Sequence, residues 1–521
     1  MKIQKVGIVV VGSGASGSIL AAKLARGGKD VVILEAGPQR GHDDLISSTL
    51  WARRLKWGGE PVVETGDHKI SHVFNAGFGV GGSAMHHYGV WPRLHPVDFN
   101  MQSNYGEGLD WPIGYADLRP YYDEVQKEVG ISGDAKSEVW RPAGDDYPMP
   151  GVPQFTQGRI LAKGFNAKGM NTAPLPLAVN SIPYNGRRAC IWDGWCDAGC
   201  PIGALANPVA TYLPQALSGG ARLMSNATVI KVLTSTDGMR CVGVRAVVDG
   251  EEMEFEADHV VLAAFAVQNP RLLLASATEK HPHGLGNGSF ALGKYIMTHP
   301  AGLVYGLFEE ETQCYLGAFG GQLVNQDAYD NKSTHASADA FGSYQWMIAQ
   351  AVKPNDLLGI ATTRPDLFGA PLDDFMKRAA KHFASMTAVV EDLPMAQNRV
   401  TLSDEKDPHG VPLAQVHHDS HPKTRALWQA VLEEGKSVFE AAGAKEVWTG
   451  PQGAMHIMGG TVMGDNPNTS VTDSYGQLHD VKNLYVAGPG LFPTSGGVNP
   501  TFTIHALASR TAQHLLERVA A

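Results

Sequence analysis

The chain has 521 residues, of which 43% are apolar and 18% charged, and its net charge is −10 at neutral pH. This is the composition of a globular protein with a large core, roughly three domain-sized units by length, and it leaves no basic stripe to grip a nucleic-acid backbone. No apolar run approaches the ~18 residues of a membrane span, and five cysteines in a chain of this size do not make a disulfide framework.

Residues 6–11 are a continuous apolar run that starts within about five residues of the N-terminus, leaving no room for a signal peptide; on its own the chain is expected to stay in the cytoplasm. Gly12, Gly14 and Gly17 follow, then a helix with apolar spacing through Ile19, Leu20 and Leu24, then a second apolar run at 31–34. Strand, turn, helix and strand in this order make a dinucleotide-binding unit. Gly12 lets the turn be tight, and Gly14, with Ala15 beside it, lets backbone amides approach a pyrophosphate. Gly17 lets the helix pack closely on its strand, so the phosphates meet the positive end of the helix. Glu35, closing the second strand, falls where a carboxylate accepts hydrogen bonds from a ribose.

Residues 38–75 are expected to be loop with a short helix. Residues 75–93 contain Gly77, Gly79, Gly81 and Gly82, followed by Ser83, His86 and His87. So many glycines do not fill a core; this backbone is expected to run against something flat or against another backbone. Asp117 is expected to cap a helix carrying Leu118, Tyr121, Tyr122 and Val125.

Cys190, Cys196 and Cys200 stand at offsets of six and four, the last followed by Pro201, Ile202 and Gly203. Short glycine-bearing turns that aim several sulfurs at one point suit an iron–sulfur cluster. Zinc would want a fourth ligand, and no nearby histidine supplies one; three sulfurs fit a cluster of three irons. Cys241 and Cys314 are plain core residues.

Residues 229–233, 241–248 and 259–264 read as strands separated by Asp237-Gly238 and Asp249-Gly250 turns. Val229 is placed against an adenine through its backbone, Ala264 ends the third run, and Asn269 is expected to cap a helix begun by Pro270. From about 297 to 447 the glycine signals thin, and no motif there names a substrate. Alternating stretches at 302–308 and 385–390, a strand at 397–402 and a helix at 424–442 are expected.

The reactive groups return in the last 70 or so residues. His456 lies in the run Met455-His456-Ile457-Met458-Gly459-Gly460-Thr461. Residues 483–488 read as a strand ending in Gly488, followed by Pro489, and Asn499, Pro500 and Thr501 open a terminal helix, with Asn499 at the N-cap and Pro500 in the first turn. Oxidising an alcohol needs a base for the hydroxyl proton while hydride leaves carbon. A neutral imidazole suits that task, and His456 is the candidate. The carboxamide of Asn499 can hold the same hydroxyl and align the C–H bond. His505, about a turn further on, reads as a packed helix residue.

The N-terminal fingerprint, the GVGGSAMHH segment and the histidine and asparagine near the C-terminus together resemble the glucose-methanol-choline family of flavin oxidoreductases, over nearly the whole chain. The resemblance implies FAD as the dinucleotide, with Gly79, Gly81, Gly82, Ser83, His86 and His87 passing the isoalloxazine ring. Some relatives bond the flavin covalently to a histidine at the place of His86 and others do not. It also implies an α/β fold: a Rossmann-like FAD-binding domain with a second α+β substrate domain built on an antiparallel sheet. The FAD-binding domain would comprise residues 1–100, 185–296 and 448–521, with the cysteine loop at 188–203, and the substrate domain residues 101–184 and 297–447.

The cysteine spacing is similar to that of the bacterial FAD glucose, gluconate and fructose dehydrogenases, which implies a [3Fe-4S] cluster on Cys190, Cys196 and Cys200. Many relatives carry an arginine two residues before the Met-Gly that is here Met463-Gly464, and this chain lacks it, which again resembles the cluster-bearing dehydrogenases. The expected activity is an FAD-dependent dehydrogenase that oxidises a sugar or other alcohol, its electrons leaving singly through the cluster to a protein or quinone. Such a subunit pairs with a small subunit carrying an export signal and often with a cytochrome, which would place the complex in the periplasm. The alternatives are a flavin oxidase of the same fold that makes hydrogen peroxide, and a non-catalytic electron-transfer subunit that has kept FAD.

Overall fold

The computed structural model describes residues 2–519 of the chain except Thr334, Ala336 and Ala338. Among the described residues, two seven-stranded sheets dominate. The first runs in the order Arg222–Met224, Val31–Leu34, Lys2–Val11, Glu251–Leu262, Cys241–Val248, Ala227–Thr234, and Leu484–Val486 joins Glu251–Leu262 as well. Lys2–Val11 pairs in parallel with both neighbours. Its C-terminal half is buried on both faces, which is why it reads as an unbroken apolar run. The helices Ala15–Arg26 and Thr501–Val519 pack together beside this sheet, and Tyr115–Val129 packs against the C-terminal helix.

Glu251–Leu262 begins eight residues before the third apolar run read from the sequence, because its first half alternates glutamates with Met253, Phe255 and Ala257 and so is not a continuous apolar run. It turns back from Cys241–Val248 through Asp249 and Gly250, at φ +47° and +87°. Two adjacent residues with positive φ make the turn whose twist matches a hairpin.

The second sheet runs Glu446–Thr449, Met297–Leu307, Phe383–Val390, Tyr344–Ile348, Leu323–Asn325, Ala173–Pro174, with Gly453–Met458 also on Met297–Leu307. Its pairings are antiparallel. Helix Pro422–Ala441 covers one face, with Leu427, Val431 and Phe439 in a core shared with Trp346 and Met386. All eight residues of Phe383–Val390 are buried, and two covered faces leave little polar alternation for a sequence to display.

A third sheet was not anticipated. Val62–Thr65, inside the stretch expected to be loop and helix, pairs in parallel with Pro412–His417, which pairs with Arg399–Lys406. Four half-buried residues carry too little pattern to be told from loop, and their partner lies far along the chain.

Three expected caps are corrected. Gly114, not Asp117, precedes helix Tyr115–Val129; Asp117 sits in the first turn and its Oδ2 accepts from Gly114 N at 2.8 Å. Asn269 lies inside Gln268–Ala275, and its Oδ1 accepts from Ala264 N at 2.9 Å. The terminal helix starts at Thr501 and its first bond runs from Ile504 N to Pro500 O at 2.9 Å, so Asn499 is outside it. Among the described residues no helix is long and apolar enough to cross a membrane.

Candidate active site

The glycine turn is set by backbone crowding. A Cβ on Gly17 would lie 2.0 Å from Gly12 O, and one on Gly12, at φ +100°, would lie 2.6 Å from Ala263 O. Gly14 is open by contrast: a Cβ there would meet nothing nearer than Gly81 O at 3.9 Å. The glycine-rich segment meets another backbone, since a Cβ on Gly37 would fall 2.2 Å from Gly79 N and one on Gly77 2.6 Å from Gly82 O. Ser13 ties these pieces together. Its Oγ donates to Glu35 Oε2 at 2.6 Å and accepts from Gly81 N at 3.0 Å, and its own N–H reaches the same carboxylate oxygen at 3.0 Å. Gly37 N donates to Glu35 Oε1 at 3.0 Å. Burial raises the pKa of Glu35, and these bonds from Ser13 and Gly37 oppose the rise.

Beside this turn lies a cavity of about 330 Å³. Gly12, Gly14, Ala15 and Glu35 line it, as do Gly82, Ser83, His86 and His87. Val229, Ala264, Pro489, Asn499, Pro500, Thr501 and His456 line it too. Gly17, Gly79, Gly81 and Gly488 do not; they stand behind the wall. Gly17 is the contact of helix to strand, Gly79 faces the Arg40 guanidinium, Gly81 faces Met85, and Gly488 faces Ser16 Oγ. Phe265, next to Ala264, also lines the cavity with φ +85°, a strained setting for a bulky side chain.

The donor set suits a flavin dinucleotide. His86 Nε2 and His87 Nε2 are buried in this wall without a hydrogen-bond partner among the described residues, and buried polar atoms ordinarily have one. Burial holds His86 well below the ordinary imidazole range and His87 down to about 3, so both are neutral and able to donate or accept toward a bound ring.

His456 sits on Gly453–Met458, an edge of the second sheet. The register against Met297–Leu307 shifts between Met297, opposite Met458, and His299, opposite Met455. Such an irregularity re-aims a side chain, and His456 takes φ +59° there. Its N–H donates to Asn75 Oδ1 at 2.9 Å, while Asn75 Nδ2 donates to the carbonyls of Ile70, Ser71 and Ala454, each at 3.1 Å. One carboxamide therefore clamps the loop before the glycine segment to the histidine strand.

The ring of His456 opens on the cavity, and its Nε2 is 3.2 Å from Asn499 Nδ2. Asn499 is only 6% exposed, and its Oδ1 accepts from Gln345 Nε2 at 2.7 Å. Gln345 Oε1 in turn accepts from Gln326 Nε2 at 2.8 Å. On its other side His456 Nδ1 is 2.9 Å from His299 Nδ1. Burial, followed by the neighbouring His299, holds His456 well below the ordinary imidazole range.

The sequence did not single out Asn75, His299 or Gln345. Asn75 opens the glycine segment, which is a faint signal; the other two lie on strands of the second sheet, where no local pattern separates them from core. His505 is buried with its ring tilted against Trp91, centroids 4.5 Å apart, and its Nδ1 donates to Thr501 O at 2.8 Å.

The three bunched cysteines come together in one loop. Cys196 is buried, Cys190 and Cys200 are half-buried, and all three are free thiols. Trp192 N donates to Cys190 Sγ at 3.3 Å and Leu205 N to Cys200 Sγ at 3.4 Å. Burial pushes Cys190 up to about 12 and Cys196 well above the ordinary thiol value, and the neighbouring cysteines add to both. Among the described residues, no three His, Cys, Asp or Glu side chains are placed to hold a metal ion. The thiols share one apolar cluster with Tyr88, Val90, Met347 and Met455, all of which also line the cavity.

Residues 7–301 and 394–508 match the two models that describe GMC oxidoreductases. The chain is similar to the 2-methyl-1,2-propanediol dehydrogenase of Mycolicibacterium austroafricanum, at 33% identity over 98% of this chain and 95% of the relative. It is also similar to the fructose dehydrogenase large subunit of Gluconobacter japonicus, at 29% identity over 98% of this chain and 97% of that one. Its fold is that of pyridoxine 4-oxidase from Mesorbium loti, with a TM-score of 0.66 at 18% identity over 98% of this chain and 99% of the other. A Rossmann glycine turn opening on a deep cavity, an antiparallel second sheet and full-length matches agree with one another: the chain belongs to the GMC oxidoreductase family and is an FAD-dependent oxidoreductase acting on alcohol groups.

Proposed function

We propose that the protein is a dehydrogenase that oxidises a hydroxyl of a sugar or other alcohol and passes the electrons through an iron–sulfur cluster to a protein or quinone. The observation that carries the chemistry is the convergence of His456 Nε2 and Asn499 Nδ2, 3.2 Å apart in the cavity wall. Bound FAD supplies a hydride acceptor at its N5. His456 Nε2 takes the hydroxyl proton as the hydrogen on carbon departs with its electron pair, which leaves a carbonyl. Asn499 Nδ2 donates to the substrate oxygen and holds the C–H bond in line. A positioned general base contributes ~10²–10⁴-fold.

Gly12, Gly14 and Ala15 would hold the pyrophosphate, Glu35 the ribose and Val229 the adenine. Gly82, Ser83, His86, His87, Ala264, Pro489, Pro500 and Thr501 would surround the ring. The division into an FAD-binding unit at 1–100, 185–296 and 448–521 and a substrate unit at 101–184 and 297–447 is part of the same proposal.

Cys190, Cys196 and Cys200 would hold a [3Fe-4S] cluster, which takes one electron at a time where a flavin gives two. Two observations support this exit. Backbone amides already donate to two of the sulfurs, a means by which proteins tune such clusters. Tyr88, Val90, Met347 and Met455 form a continuous apolar bridge from the cavity to the cysteine loop. A partner subunit is in keeping with the similarity to a protein named as a large subunit. The second reading is an oxidase that makes hydrogen peroxide; the absence of a metal-holding group among the described residues and the likeness to an oxidase fold favour it.

The two separate on protein purified without oxygen. The dehydrogenase reading expects about three irons with matching acid-labile sulfide per FAD, turnover with an artificial acceptor, and little oxygen uptake. Iron-free protein that turns over with oxygen and yields peroxide leaves the oxidase.

A further inference from the structure

Resting on the reading of His456 as the base, we propose that His299 is a positioning residue that fixes which nitrogen of His456 carries the proton. His299 Nε2 faces the carbonyl oxygens of Gly496 at 2.9 Å and Ser495 at 3.3 Å. A carbonyl has no proton to give, so the ring proton of His299 stays on Nε2 and its Nδ1 is a lone pair. That Nδ1 is 2.9 Å from His456 Nδ1, and two lone pairs cannot face each other at that distance, so His456 donates from Nδ1. Its Nε2 is then bare and turned to Asn499 Nδ2 and the cavity, the tautomer that a base acting at Nε2 needs. The two rings are inclined at 79° with centroids 5.1 Å apart, and rotation about an N–H···N axis leaves such a bond intact.

The pair works without charge. His299 is fully buried, and burial brings it down to about 4. The charged groups that face it are Asp392 and Asp98, and both are engaged elsewhere. Asp392 pairs with His418 Nε2 at 2.9 Å and accepts from Thr298 N at 3.0 Å, and Asp98 pairs with Lys332 Nζ at 2.9 Å. A carboxylate against Nδ1 would make His456 more basic; a neutral imidazole orients it and leaves it deprotonated over a wider pH range. The two carbonyls that set His299 belong to the segment that leads into Asn499, so a single loop positions both groups that meet the substrate. When His456 takes the substrate proton at Nε2, the same Nδ1 to Nδ1 bond holds the resulting imidazolium.

The test uses the FAD-loaded protein with ¹⁵N-labelled histidine and three variants, His299→Phe, His299→Asn and His299→Asp. Imidazole ¹⁵N shifts, assigned to His456 by comparison with His456→Ala, are expected to report the Nδ1–H tautomer in the wild type. They should show a mixture in His299→Phe and recovery in His299→Asn, whose Oδ1 can accept from Nδ1. Anaerobic flavin reduction should slow roughly 100-fold in His299→Phe, mostly in the limiting rate, and regain about tenfold in His299→Asn. In His299→Asp the acid limb of the rate should move to higher pH, an effect that lost packing does not produce. The proposal is overturned if His456 keeps the Nδ1–H tautomer in His299→Phe, or if the acid limb of His299→Asp stays at its wild-type position. Failure of the underlying base assignment looks different, with His456→Ala reducing flavin at the wild-type rate. Should His299→Phe not retain FAD, the Asn and Asp variants decide the matter alone.

Discussion

Replacing Gln345 by Leu perturbs the candidate site without touching either group that meets the substrate. Gln345 is fully buried. Its Nε2 holds Asn499 Oδ1 at 2.7 Å and its Oε1 receives Gln326 Nε2 at 2.8 Å. Leucine is close in size but leaves Asn499 Oδ1 and Gln326 Nε2 buried and unpaired, at about 1–3 kcal/mol each, or ~2–6 kcal/mol in all, before the gain from burying two methyls. The Asn499 carboxamide is then free to turn, and when Oδ1 faces the His456 Nε2 lone pair the substrate oxygen loses its donor. Misalignment of this kind costs up to ~100-fold in rate. Gln345→Glu is the sharper variant: it keeps the shape but can only accept, so it draws Asn499 Nδ2 away from His456. Both variants are expected to bleach their flavin at least tenfold more slowly than wild type in anaerobic stopped flow, with Glu no better than Leu. If both hold FAD and bleach at the wild-type rate, Gln345 does not orient Asn499 toward the substrate oxygen.

Gly17→Ala places a Cβ 2.0 Å from Gly12 O, which no side-chain rotation relieves; the purified variant is expected to carry little FAD or none, as read from its visible spectrum. Lys332→Met leaves the carboxylates of Asp98 and Glu391, now 2.9 and 2.7 Å from Nζ, buried without a cation. Breaking a buried pair from one side costs about 3–5 kcal/mol, so the midpoint of thermal unfolding should drop by several degrees. Acid should destabilise the fold from about pH 6.5 downward. The pKa values of His72, His299 and His505 fall to about 4 through burial, so the folded state binds fewer protons than the unfolded chain over that window. Their stability is fully present above the unfolded pKa and lost as pH falls toward the folded one, by up to ~3 kcal/mol for a ring as buried as His299. His418, raised by Asp392, works in the opposite sense but stands against these three and against His86, His87 and His456, which burial lowers as well. Urea midpoints that stay flat between pH 7 and 4.5 would refute this.

The first strand, the glycine turn and the first helix were legible because each rests on a local backbone demand that only a few residue types meet. Gly17 is the clearest case, since its role is a clash that any Cβ would create. His456 and Asn499 were legible as reactive types at motif positions, but not their orientation. The N-cap proposed for Asn499 failed because its side chain is drawn to Gln345 and His456, and the one proposed for Asn269 failed because its carboxamide bonds Ala264 N instead of its own helix. Caps are local choices that a tertiary partner overrides. His299, Gln345 and Asn75 act through partners 157, 154 and 381 residues away, and nothing near them in the chain announces such partners. The strand Val62–Thr65 was missed for the same reason, since its mate begins at Pro412.

Anaerobic stopped-flow reduction of the FAD-loaded His456→Ala variant, set beside wild type with the same alcohol, bears most directly on the proposed chemistry. Flavin bleaching is expected to slow by ~10²–10⁴-fold while FAD content and unfolding midpoint stay close to wild type. Bleaching at the wild-type rate would mean that the hydroxyl proton leaves by another route.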